Sequence, residues 1–111
     1  PLVGNHGHIC RFGGEEFVIV QFDLSPEMIY SLAEGIRQSI VKEKFLLHGN
    51  AVTVTVSLGL AYGQAQPGVE WADTVNRLIS VADKNLYISK RNGRNQTSPG
   101  NARSEMTSDV A

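Results

Sequence analysis

Apolar positions recur along this chain first in short runs, then at helical spacing, then in strict alternation, then at helical spacing again. The first run, Ile9-Cys10-Arg11-Phe12, is followed by Gly13-Gly14-Glu15-Glu16 and by a second run, Phe17-Val18-Ile19-Val20-Gln21-Phe22. Two β-rich runs joined by paired glycines predict a hairpin, because glycine takes positive φ without steric cost. The second run is apolar on both faces, which predicts a strand inside a sheet covered on both sides. Ser25-Pro26-Glu27 predicts a helix start: Ser25 caps, Pro26 suits the first helical position, and Glu27 complements the dipole. Ile29, Leu32, Ala33, Ile36 and Ile40 then recur at helical spacing, Lys42 and Lys44 lie near the end, and Gly49-Asn50 breaks the chain. From 51 to 62 the alternation is clean. Val52, Val54, Val56, Leu58, Leu60 and Tyr62 share one face, with Thr53, Thr55, Ser57, Gly59 and Ala61 on the other. This predicts one long strand whose small-residue face is approached closely by a helix or a ligand. After a polar loop at 63–68, a second helix is predicted from about Asp73 to Arg91, with Val75, Leu78, Ile79, Ala82 and Leu86 as its stripe and Gly93 as its stop.

The order is therefore hairpin, helix, strand, helix, an α/β unit of helices layered on a sheet. Residues 1–95 form the folded part, and 96–111, polar and aperiodic, read as a disordered tail. Residues 1–8 read as a loop or as a cut end, since the chain does not begin with Met. Strands patterned on both faces call for more neighbours than these elements supply.

Composition narrows the function classes. The chain has 111 residues, enough for one domain. Ten Lys and Arg against eleven Asp and Glu give a formal charge of −1, so general electrostatic binding to nucleic acid or to an anionic membrane has no support. The hydrophobic fraction of 41% suits a globular domain, and no apolar run reaches membrane-spanning length. No signal-peptide pattern opens the chain, and the single cysteine, Cys10, forms no internal disulfide.

Chemistry concentrates at Gly13-Gly14-Glu15-Glu16-Phe17. Two adjacent carboxylates repel, which suggests a cation, and Mg²⁺ prefers one or two carboxylates with phosphate oxygens and water. If Glu15 lies in the turn and Glu16 begins the strand, their side chains diverge and take separate tasks. Taken from these residues alone, a solvated turn with two acids is the better account. Lys90, Arg91 and Arg94 surround the end of the last helix, where cations suit the helix dipole or grip phosphate; alone, the dipole is the better account. His6-Gly7-His8 is too close to a loose end to argue a metal site. Cys10 reads as packing in an apolar strand, and Ser57 has no evident catalytic partners.

Together these residues resemble a known family. Arg11-Phe12-Gly13-Gly14-Glu15-Glu16-Phe17 resembles the signature of GGDEF-family diguanylate cyclases in its GGEEF form. Val54-Thr55-Val56-Ser57-Leu58-Gly59-Leu60-Ala61 is similar to that family's later strand, and the stretch from Ala82 to Asn95 to its last helix and exit. The resemblance covers only the later part of the family's domain. It implies a nucleotide cyclase-like, polymerase-palm-like fold. It also implies a nucleotidyltransferase that condenses two GTP into cyclic di-GMP, releasing pyrophosphate. By the same resemblance Glu15 is a metal ligand or helps deprotonate the 3′-hydroxyl, and Glu16 is a metal or site-orienting carboxylate. Gly13 and Gly14 leave room for the nucleotide, and Lys90 and Arg94 hold its terminal phosphates. The implied cofactor is Mg²⁺ or Mn²⁺. The implied partners are GTP, a second subunit facing the first in a homodimer, and an upstream sensory or regulatory domain, all in a bacterial cytoplasm.

Two departures sharpen this. The family's metal-binding Asp strand and guanine-reading residues do not lie upstream of Pro1, so this chain alone is expected not to cyclise GTP. The Arg-x-x-Asp product-inhibition site of many members aligns with Gly4-Asn5-His6-Gly7, so tight product feedback through it is not expected. The alternative reading is a non-catalytic GGDEF-like module that binds GTP or cyclic di-GMP to regulate a neighbour, and a third is an inactive fold fragment.

Overall fold

A computed structural model describes residues 7–100. The predicted hairpin is present. Strands β1 (Gly7–Gly13) and β2 (Glu16–Gln21) pair antiparallel, with Cys10 opposite Val18 and a register shift between Arg11 and Gly13. Helix α1 (Pro26–Lys42) starts as its sequence dictates: Pro26 opens it, and the Ser25 hydroxyl accepts from the Met28 amide at 3.2 Å. Helix α2 (Trp71–Arg91) begins two residues earlier than Asp73 and ends at the expected Arg91. It closes before Gly93, which has φ +116°.

Three expectations are corrected. The alternating stretch 51–62 is not one strand. It contributes β4 (Asn50–Val52) and β5 (Leu58–Gly59), while 53–57 makes no ladder. Alternation sets which side chains share a face, but a ladder also needs a partner's backbone, and 53–57 has none among the described residues. The break at Gly49-Asn50 is itself a hairpin. Strand β3 (Phe45–Leu47) pairs with β4 across His48 and Gly49, whose φ of +52° and +83° match the two-residue turns that follow strand twist. The polar stretch from 96 opens with strand β6 (Thr97–Ser98), buried and parallel to β5, so the expected tail starts inside the fold; residues 101–111 lie outside the described ones.

The described sheet is three two-stranded pieces, β1–β2, β3–β4 and β5–β6, in an α+β arrangement. The expectation that β2 is covered on both sides also fails: Phe17 is 63% exposed and Ile19 38%. Cys10, expected to be packed, is exposed.

The best-buried region is where α1, α2, β5 and β6 meet. Ala33 and Leu60 are buried there, with Ile29, Tyr30, Leu58 and Tyr62 against them. The expected close approach to the small-residue face is real. A Cβ on Gly59 would overlap the Ala82 carbonyl oxygen and the Leu86 amide nitrogen, so α2 rests on bare backbone. That approach brings buried polar side chains within reach of strand carbonyls. Asn85 Nδ2 donates to Leu60 O at 2.8 Å, and Ser89 Oγ donates to Leu58 O at 2.8 Å and shares a hydrogen bond with Ser98 Oγ at 2.7 Å. The apolar stripe of α2 instead borders a groove of about 720 Å³ that it shares with β2, α1 and the chain from 57 to 65.

Candidate functional site

The hairpin tip carries the glycine-acid motif. Gly14 has φ +51° and Gly13 φ +153°, conformations that side-chain-bearing residues rarely adopt. A Cβ at either position would meet no atom within 4 Å, so the turn faces open space. Arg11 stiffens it from below, its Nε and Nη2 donating to Gly14 O at 3.0 and 2.6 Å. Glu15 is exposed in the turn and Glu16 is the first residue of β2, the division of positions that the sequence anticipates.

The second half of the site arrives on α2. This helix runs along β2 in the opposite sense. Trp71 at its start stacks on Phe22, just past β2, with ring centroids 5.7 Å apart. Lys90 near its end reaches the start of β2, where its Nζ lies 3.2 Å from Glu16 Oε2. The acid at the hairpin and the cation at the helix exit, 74 residues apart in sequence, therefore share one place. About a third of each side chain remains exposed, so the pair is held weakly and is reachable from solvent.

Of the residues expected to form the site, Gly13, Gly14, Glu16 and Lys90 are brought together. Glu15 and Arg94 are both exposed, and neither side chain has a hydrogen-bonding partner among the described residues. Glu15 in the open turn and Glu16 directly after it supply two carboxylates, a number that suits Mg²⁺ when phosphate and water complete its shell. Residues 4–6 of the expected product-inhibition stretch and His6 lie outside the described residues; His8 packs edge-on against Phe22 at 6.1 Å. Ser57 has a structural task, its hydroxyl accepting from the Asn95 amide at 3.2 Å.

Residues 2–96 match the family described as "Diguanylate cyclase, GGDEF domain". The chain belongs to the GGDEF family. Its GGDEF sequence is 36% identical over 97 residues to the probable diguanylate cyclase DgcF of Escherichia coli K12, covering 87% of this chain and 30% of that protein. It is 36% identical over 95 residues to the diguanylate cyclase DosC of the same strain, covering 85% of this chain and 19% of DosC. Over 88 residues it is 34% identical to the response regulator PleD of Caulobacter vibrioides, covering 78% of this chain and 18% of PleD. The chain thus spans less than a third of the length of these curated relatives. Among the described residues, no helix is long and apolar enough to cross a membrane.

The motifs do not announce a second charged group, on α1, that meets the loop after α2. Glu34 and Arg37 on α1 form a two-bonded pair, Arg37 Nε to Glu34 Oε2 at 2.9 Å and Nη2 to Oε1 at 2.8 Å. Hydrogen bonding from Arg37, then from Thr97, outweighs burial and holds the Glu34 carboxyl at about 2; the same pairing raises the Arg37 value. Their i, i+3 spacing is a sequence signal for the pair, but nothing in the sequence announces that it reaches 95 and 97.

Proposed function

We propose that this chain carries the GTP site of a diguanylate cyclase, a nucleotidyltransferase that joins two GTP into cyclic di-GMP. The observation that carries the reading is the meeting of Glu16 and Lys90 beside the open Gly13-Gly14 turn. An exposed ion pair of this kind is worth under about 1 kcal/mol, so exchanging partners costs little. When a triphosphate enters, Lys90 turns to its oxygens and Glu16 is freed for a divalent cation. Arg94 adds a forked donor set to the terminal phosphates. Gly13 and Gly14 let the nucleotide lie against bare backbone. Glu16 would hold the Mg²⁺ or Mn²⁺, and Glu15 would either join it as a ligand or help to take the 3′-hydroxyl proton. The bound cation supplies charge neutralisation on the phosphates and a lower cost for the 3′-alkoxide.

In the reaction, the 3′-oxygen of one GTP bonds to the α-phosphorus of the other. The bond from that phosphorus to the bridging oxygen breaks, and pyrophosphate leaves. The same exchange in the opposite direction closes the ring. Each site holds one GTP, so two subunits face each other, and a regulatory domain in the remaining length of the protein governs that encounter. The site acts in a bacterial cytoplasm, where GTP is available.

The test is cyclic di-GMP formation from GTP and Mg²⁺ by the full-length protein. Glu16→Gln and Lys90→Ala are each expected to lower the rate by roughly 10²-fold, the scale of losing a charge-stabilising group. Variants that keep the parent's rate would remove the assignment. GTP binding without turnover in the unaltered full-length protein would point instead to a regulatory binding module.

A further inference from the structure

The exit from α2 holds Arg94 in a conformation that an arginine does not favour. Gly93, Arg94 and Asn95 have φ of +116°, +64° and +47° in succession. Two adjacent non-glycine residues in the left-handed region persist only where the surroundings impose it. Those surroundings are specific. The Arg94 amide donates to Ser89 O at 2.9 Å, and the Asn95 amide to Ser57 Oγ at 3.2 Å. From α1, Arg37 Nη1 donates to Asn95 Oδ1 at 3.1 Å and approaches Asn95 O at 3.5 Å. Thr97 Oγ1 donates to Glu34 Oε2 at 2.7 Å. The paired side chains of α1 therefore grip the loop on the residue after Arg94 and again two residues beyond it. The Arg94 side chain alone projects from this pinned backbone exposed and without a hydrogen-bonding partner among the described residues.

We propose that Glu34 and Arg37 are positioning residues for Arg94: by holding Asn95 and Thr97 they fix the backbone from which Arg94 reaches the nucleotide's phosphates. This rests on the reading of Arg94 as a phosphate-holding group. Arg37 is suited to the task because its fork engages a carboxylate with two donors and leaves a third for Asn95. The depressed Glu34 carboxyl keeps the grip charged throughout the neutral range. A staple serving stability alone would leave phosphate affinity untouched wherever the protein is folded. A positioning role makes that affinity depend on residues that touch no phosphate.

Calorimetric titration of the full chain with Mg²⁺ and GTP, well below the unfolding temperature, separates the two. Arg94→Ala is expected to weaken binding about tenfold, the scale of a charge-assisted hydrogen bond. Glu34→Gln is expected to weaken it roughly three- to tenfold, and the double variant no more than Arg94→Ala alone, since both act through one contact. Should Glu34→Gln not fold, Asn95→Gly carries the same test: it keeps the left-handed backbone and the Glu34 bonds to Arg37 and Thr97 while removing the side-chain acceptor. Unchanged binding in Glu34→Gln and Asn95→Gly, or losses that add in the double variant, would overturn the proposal while leaving the phosphate reading standing. No binding by the unaltered chain, or no effect of Arg94→Ala, would instead remove the phosphate reading itself, and the positioning role with it.

Discussion

Glu34 lies between a guanidinium and a hydroxyl, and its carboxyl falls from an ordinary 4.5 to about 2. Because the folded value is the lower one, the stabilisation is fully present above about pH 4.5 and is lost as pH falls toward 2. For this largely covered group the contribution is on the order of 2 kcal/mol at neutral pH. Urea unfolding is expected to show the unaltered chain more stable than Glu34→Gln at pH 7, with the advantage closing between about pH 5 and pH 2. An advantage independent of pH would refute the charged clamp. At this scale the sequence was most informative about chemistry and least about partners. Glu15, Glu16, Lys90 and Arg94 stand out by type and motif. That Lys90 meets Glu16, or that Arg37 meets Asn95, depends on side chains far apart along the chain.

Among the elements, the two helices were legible because caps and stripes are local. Ser25 and Pro26 start α1 where expected, and the Asp73 estimate missed the start of α2 by two residues. The strands were less legible. The alternating stretch 51–62 shows that a period of two fixes faces, whereas ladder formation depends on which backbone lies alongside. The β3–β4 turn had its signal in Gly49, read only as a break. Gly59 tests the strand-to-helix contact directly. In Gly59→Ala the new methyl meets helix backbone, which cannot rotate aside, so α2 must lift from β5 and strain the Asn85 and Ser89 hydrogen bonds. A loss of about 3 kcal/mol or more in chemical unfolding is expected. A variant as stable as its parent would show that α2 does not sit this close.

For the whole molecule, what matters is how much apolar surface stays uncovered. Buried hydrophobic residues among those described are few, while Ile9, Phe17 and Ile19 share an exposed face of the hairpin, Ile9 directly opposite Ile19. β2 has β1 on one edge and no described strand on the other. Free edges and apolar faces pair with further chain when it is offered. The 111-residue chain is expected to self-associate with rising concentration in light scattering, and Ile9→Lys with Ile19→Lys to shift it toward monomer. A monomer at high concentration in the unaltered chain would contradict this.

The sequence by itself determined the helices, the hairpin with its glycine turn, the acids and cations of the candidate site, and the family, because each is written in neighbouring residues. Tertiary structure alone decided that α2 lies along β2 and so delivers Lys90 to Glu16. It decided too that 53–57 forms no ladder, and that α1 grips the loop bearing Arg94. Those outcomes depend on the relative placement of elements, which local spacing does not encode.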